Sequence, residues 1–322
     1  MKRTSSIIAF GRKFPTEKIC KQKFLEYRLK SGIVCPKCGC THHYYLSTIQ
    51  YFKCKNCDYR QSLRANTVMH YSKLPFRYWF IAFWLVANTK NSYSSAEIQR
   101  QLGHQYYRPI WNMMQKIRSV LGASNASIVL KDSVELDECY ISTRMKHDLP
   151  ETTKEGKQWT QRKPFTLTKT KCIVACESIP VEQTLKQSKR YALKHACGNL
   201  IMVVVPDFKR ETIRDMMKDR IERSSVIRSD GTRCHDKLIP LFENYIGGVI
   251  PHDELCKTLP FVHIAIGNLK ALIRNVHHSV EREFLQLYIH EFTWKFNHRK
   301  SRNIFEELLA ELVRYKPALM FN

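Results

Sequence analysis

Two periods divide this chain. Up to about residue 125 apolar side chains recur at helical spacing, and beyond 130 they alternate at a period of two. Within 1–30, PTEKICKQKFLEYRLK predicts a short basic helix. Within 31–66, YYLST and QYFKC are short β-like pieces between cysteines. In 67–125, LPFRYWFIAFWLVA predicts a helix that is apolar on most sides and must therefore be buried. SYSSAEIQRQLG and YRPIWNMMQKIRSVL then predict two shorter helices around a break at Gly103-His104, in the manner of a helix-turn-helix. Ser94 or Ser95 can cap the first by accepting from its unpaired amides.

Beyond 130, SVELDECYIS, FTLTKTKCIVACES and NLIMVVVP predict three successive strands. DFKRETIRDMMKDRIE predicts a helix, SSVIRSD a fourth strand and CHDKLIPLFENY another helix. FVHIA is a last apolar piece leading into a long helical region from about 266 to 314, broken near His277-His278 and near Lys300. Three strands, then helix, strand and helix, predict a mixed α/β sheet with flanking helices over 130–300, and leave 301–322 as a C-terminal helix and tail. A polar, basic insert from Arg144 to Pro164 predicts a loop beside the first strand.

Length and charge narrow the partner. At 322 residues the chain holds two or three domains, and 53 Lys and Arg against 29 Asp and Glu give a formal charge of +24. The excess is spread along the whole length, which points to nucleic acid and away from a small anion. No apolar run approaches the roughly 20 residues that cross a bilayer, and MKRTSSIIAFGRKF is too weakly apolar for a signal peptide. The expectation is a cytoplasmic, nucleoid-associated protein with no membrane partner.

Five of the twelve cysteines fall between Cys35 and Cys57, which favours metal-bound thiolates over disulfides. Cys35 and Cys38 form one C-x2-C pair and Cys54 and Cys57 another, fifteen residues on. Two such knuckles give four thiolates in tetrahedral array, a structural Zn2+ site with no open position. Cys40, His42 and His43 break that paired geometry and read as ordinary residues. Lys37, Lys53, Lys55 and Arg60 decorate the ribbon and suit DNA phosphates.

Two aspartates stand out later. Asp137 lies inside VELDECY, where alternation puts Val134, Leu136 and Glu138 on one face and Glu135, Asp137 and Cys139 on the other. Asp230 ends the fourth strand just before Gly231, at the edge where a sheet offers side chains to a ligand. Adjacent strands could bring both to Mg2+ or Mn2+, for metal-assisted phosphoryl transfer. On residues alone, Glu281, Glu283 and Glu291 remain candidates for a third acid.

The blocks CPKCG, FKCKNC, SLRANTVMHYSKLPFRYWF, VELDECY, VIRSDG, FVHIAIGNLK and HEFTWKFNHR, in this order, resemble bacterial insertion-sequence transposases of the IS1595 group. The resemblance implies a zinc ribbon, a small helical domain and an ISXO2-like catalytic domain with a ribonuclease H-like sheet. It implies double-stranded DNA as partner, both element ends and target, with a homodimer or higher oligomer on the DNA. It places the first two metal-binding acids on Asp137 and Asp230. HIAIGNLK resembles the branch whose third ligand is asparagine, which assigns that role to Asn268, with Lys270 as the associated basic residue. His263 and His277 are read as structural donors, with orientation of the site or an approach to DNA as the alternative. Family members commonly carry a glycine- and arginine-rich segment after the first acid, where this chain has its polar insert. The competing functions are a domesticated or inactive DNA-binding regulator, a metal-dependent nuclease or resolvase, and a zinc-stabilised interaction protein.

Overall fold

The computed structural model describes residues 6–146, 165–180, 195–230, 235, 238–248 and 258–314. The chain forms two compact units, Met1–Ala126 together with His298–Asn322, and Ser127–Asn297.

In the first unit α1 (Ile7–Lys13) and α2 (Glu17–Lys30) precede a small antiparallel sheet of β1 (His43–Leu46), β2 (Tyr51–Cys54) and β3 (Arg60–Ser62). Three helices follow: α3 (Phe76–Asn88), α4 (Ser95–Leu102) and α5 (Tyr107–Asn125). The apolar run does form a buried helix, with Trp79, Phe80 and Phe83 inaccessible to solvent. Its first residues have no capping side chain of their own. Glu17 supplies one from α2, its two oxygens accepting from the amides of Phe76 and Arg77 at 2.8 Å each. Ser94 caps α4 by accepting from Glu97, and Gly103 at φ 62° ends it in the left-handed conformation that glycine tolerates.

The last helix, α9 (Ile304–Arg314), was expected as a separate piece after 300. It packs in this first unit, against α2, α3 and α5. Phe305 stacks on Phe10 and Phe14 at centroid distances of 5.8 and 5.5 Å, and Phe14 meets Phe80 at 5.1 Å. The Val68 amide donates to the Leu312 carbonyl at 3.2 Å, and the Leu312 side chain is fully buried.

The second unit is a five-stranded mixed sheet in the order β6-β5-β4-β7-β8. Its strands are β4 (Ser133–Lys146), β5 (Phe165–Pro180), β6 (His195–Val205), β7 (Val226–Ser229) and β8 (Asn244–Gly247). The first three run antiparallel in a meander, and β7 and β8 are parallel to β4. Alternation along β4 sends its two faces to different cores. Val134 and Leu136 join Ile213 and Met217 of α6 (Arg210–Met217), together with Ile227. Cys139 and Ile141 join residues of α7 (Pro260–Leu272) and α8 (Leu285–Asn297), among them Leu269 and Ile289. The first strand is thus the centre of an α/β/α sandwich.

Three expectations are corrected. CHDKLIPLFENY is not one helix: among its described residues it holds a 3-10 turn, Ile239–Leu241, and the start of β8. Tyr245 and Ile246 favour extended backbone, and the Tyr245 hydroxyl is 2.6 Å from Ser229 Oγ of the neighbouring strand. The helix placed from about 266 begins at Pro260, at the position where a missing N–H costs nothing. The basic insert begins later than expected, because Arg144–Lys146 still belong to β4. Its remainder, 147–164, lies outside the described residues. The expected break at His277-His278 is a π-helical turn over Ile273–His277, closed by His278 at φ 57°.

Leu312→Ala is expected to cost about 2–5 kcal/mol, as for other buried leucines. Hydrogen exchange should show lost protection in α2, α3 and α5 and unchanged protection in β4 and β5. Loss confined to 304–314 would show that α9 only lies on the surface of its unit.

Candidate functional site

The cysteine knuckles meet as the spacing requires. Cys35 and Cys38 precede β1, Cys54 ends β2 and Cys57 follows it. Their four sulfurs lie within 4.8 Å of one another, the one such donor cluster among the described residues. Cys35 Sγ is 3.5 Å from Cys57 Sγ, and Cys38 Sγ is 3.6 Å from Cys54 Sγ. A zinc with bonds of about 2.3 Å holds tetrahedral sulfurs about 3.8 Å apart, so the set fits a structural Zn2+. Burial pushes the Cys54 thiol up, but the backbone amides of Cys57 and Asn56 outweigh it and bring it down to about 6. A thiol already inclined to ionise is what the metal needs. Cys40 stays out of the set and pairs with His42, whose amide donates to its sulfur at 3.4 Å.

Two exposed basic and aromatic surfaces lie in the same unit. Lys55 sits 4.6 Å above the ring of Tyr44 on the ribbon. At the start of α5, Tyr106 and Tyr107 are exposed and the Arg108 guanidinium lies 4.6 Å over Trp111. Four residues, 103 to 106, separate α4 from α5, the length of a helix-turn-helix corner.

In the second unit the site is built on β4. Parallel pairing with β7 matches Glu135 to Arg228 and Leu136 to Ser229, and Asp137 and Asp230 are the residues that follow this last pair. Asp137 is on the face of β4 that meets α7. The charges act on each other: burial first, and then Glu138 and Asp230, push the Asp137 carboxyl up to about 7, against the pull of the Glu138 amide and of His235. The Glu138 amide donates to Asp137 Oδ1 at 2.8 Å.

Sequence reasoning missed His235 and the capping role of Glu135, and it read His263 as a structural donor or a residue that orients the site. Glu135, 1% exposed, accepts from the amides of Phe261 and Val262 at 2.8 and 3.1 Å, and so caps the otherwise uncapped α7. Burial pushes its carboxyl up, and those amides, Arg228 and Ser178 pull it back. His235 is fully buried with Nε2 at 2.6 Å from Glu138 Oε1. His263, in the first turn of α7, has Nδ1 3.8 Å from Asp137 Oδ2. The available signals were the even spacing from Glu135 to Asp137 and the helix start marked by Pro260.

Asn268 is also on α7 and exposed, but five residues past His263, about 140° around the axis. Lys270 is exposed and, seven residues on, returns to the side of His263. Of the other acids considered, Glu281 pairs with Arg144 at 3.2 Å, far along β4 from Asp137. Glu283 lines the same end of the strand, beside Arg144 and Met145. Glu291 is buried on α8 with Lys295 at 2.9 Å. None of these three joins Asp137. His277 packs edge-on against Tyr288 at 4.6 Å.

A family model described as ISXO2-like transposase domain matches residues 129–297, just over half of the 322. A second, described as transposase zinc-ribbon domain, matches residues 15–60. No curated protein matches the chain. No described helix is long and apolar enough to cross a membrane.

Two measurements follow from these sites. Purified protein should carry about one zinc per chain by metal analysis, and Cys54→Ser should lose it together with the amide protection of β1 to β3; full zinc content in the variant would disprove the four-cysteine site. The second concerns Asp137. Between about pH 4, where an unfolded aspartate ionises, and about pH 7, the folded chain keeps a proton that the unfolded one has lost, so stability falls as pH rises through that window. Asp137→Asn removes this slope. In metal-free protein at pH 8 it should add on the order of 2 kcal/mol, or raise Tm by roughly 5 °C, and an unchanged or lowered Tm would contradict the buried, repelled carboxylate.

Proposed function

The chain belongs to the IS1595 group of transposases, joining a zinc ribbon to an ISXO2-like domain, and on that premise we propose that it is an active DNA transposase. It would bind the terminal inverted repeats of an insertion sequence, cut them and transfer their strands to target DNA. The observation that carries this reading is Asp137 on β4 with Asp230 just past the end of the parallel neighbour β7, whose charge helps to raise the Asp137 carboxyl.

We read the sheet as ribonuclease H-like, because a three-stranded antiparallel meander is followed by two strands parallel to its first. Two repelling carboxylates at one sheet edge fit a Mg2+ or Mn2+ site, since a divalent cation relieves their repulsion. Such an ion, when bound, screens the nonbridging phosphate oxygens and favours ionisation of a water or a 3′ hydroxyl. Asp137 and Asp230 would hold it from the sheet, and a residue of α7 would complete the set. Glu135 fixes the first turn of that helix. His235, 2.6 Å from Glu138, favours the ionised Asp137 carboxylate, against the push of the Glu138 charge. Lys270, exposed on α7, meets a phosphate of the same strand.

The remaining contacts belong to the first unit. The start of α5 offers Tyr106, Tyr107 and Arg108 to a groove, and the ribbon offers Lys53, Lys55 and Arg60 to phosphates. Joining two element ends needs two active sites, hence two protomers on the DNA. A regulator descended from a transposase would share the ribbon and helices without cutting, and a nuclease would cut without joining.

Labelled terminal-repeat DNA separates these readings. Asp137→Asn and Asp230→Asn should each abolish Mg2+- or Mn2+-dependent cleavage, by about a thousandfold or more, while the Kd for the DNA moves less than about threefold. Cleavage by Asp137→Asn at the wild-type rate would overturn the assignment. Wild-type cutting with no joined product would make the protein a nuclease.

A further inference from the structure

We propose that Tyr71 is a stacking contact for an unpaired DNA base, displayed by a rigid turn of the first unit, with Lys73 and Arg77 close by in the chain for the flanking phosphates. The inference rests on the reading that the chain binds DNA, and it needs neither aspartate.

The backbone comes first. Tyr71 lies between β3 and α3 with φ at 58°, in the left-handed region that a residue with a Cβ enters only at a cost. A bulky residue stays there where its surroundings hold it. They do so on both sides. The Lys116 ammonium donates to the His70 carbonyl at 2.7 Å, and the Arg64 guanidinium donates to the Ser72 carbonyl at 2.5 Å. The Ser72 amide donates to the Met69 carbonyl at 3.0 Å, and Trp79 Nε1 donates to Ser72 Oγ at 3.3 Å. The turn is therefore fixed while its side chain is left in solvent. At 77% exposure Tyr71 is the most exposed large apolar residue among those described, backed by the His70 ring at a centroid distance of 4.0 Å. Glycine would make this turn without strain and without an exposed ring, so the tyrosine is costly to the free protein on both counts. A partner that covers the ring would offset that cost.

Charge selects the partner. No Asp or Glu occurs between Asp58 and Glu97, a stretch that carries Arg60, Arg64, Lys73, Arg77 and Lys90. Lys73 and Arg77 are exposed. Glu17 reaches this region from α2, but both its oxygens are taken by the Phe76 and Arg77 amides. A surface of this sign suits a polyanion and opposes a second copy of the same +24 chain. Every base has a π face that stacks on tyrosine, and a duplex covers those faces except at ends and openings. An unpaired base between two phosphates thus matches a rigid ring set among cations.

The test is binding by the full-length, zinc-loaded chain without Mg2+ or Mn2+, so that nothing is cut. The probes are a single-stranded oligothymidine carrying one 2-aminopurine and a covalently closed circular duplex. Tyr71→Gly should weaken the single strand at least about fivefold, with loss of 2-aminopurine quenching, and leave the circle within about twofold. Tyr71→Trp should keep the single-strand affinity within about twofold. The slope of log Kd against log salt should be unchanged in Tyr71→Gly and reduced by about 0.7 in Lys73→Ala, because only the second removes a phosphate contact. The Tm of Tyr71→Gly should hold or rise, since glycine takes this φ without strain. A fall of more than about 4 °C would make the ring a structural prop and overturn the proposal. So would wild-type single-strand affinity in Tyr71→Gly, or an equal loss on the circle, which would make the ring a groove contact. A wild-type chain that binds neither probe would instead overturn the reading beneath it.

Discussion

A single carboxylate, Glu135, orders the functional half of the second unit. It leaves the centre strand with almost no exposure and ends on the two first-turn amides of α7. A buried charge is costly unless it is fully paired, and the amino end of a helix offers both hydrogen bonds and a favourable dipole. The same contact settles two needs at once, since α7 has no cap of its own and Glu135 has no solvent. Everything α7 presents to the sheet edge is indexed from that point. The first unit uses the same device, where Glu17 of α2 caps α3 through Phe76 and Arg77.

The electrostatics of the second unit run against the overall charge. A chain of formal charge +24 sets Glu138 and Asp230 near Asp137, where burial and their charges push the Asp137 carboxyl up. A basic exterior attracts polyanions, while an acidic point within it repels them unless a cation screens it.

Much of this was legible in the residues. Alternation in VELDECY assigned Asp137 to the face that the structure turns to α7, and the doubled C-x2-C spacing gave a cluster whose sulfurs do converge. The buried helix of aromatic residues and the cap at Ser94 were equally plain. What stayed hidden depended on contacts distant in sequence. Four residues of β8 carry too little pattern to be told from a helix, and they become a strand by pairing with β7. The first turn of α7 is held by Glu135, 126 positions away from Phe261, so no local period could show which of its side chains meets Asp137.

The first unit is discontinuous in the chain, with all of residues 127–297 between α5 and α9. During synthesis the ribosome therefore releases every residue of the five-stranded sheet before it releases the helix that closes the other core. The nascent chain can complete the sheet while Phe14 and Phe80 still wait for Phe305, and closing so long a loop adds little entropy cost but much delay. A transcript cut short, or a shifted reading frame past residue 297, would then yield a sound sheet in a chain whose other core is left open. Such a chain invites degradation, so the order of translation itself becomes a check on which copies of the protein survive.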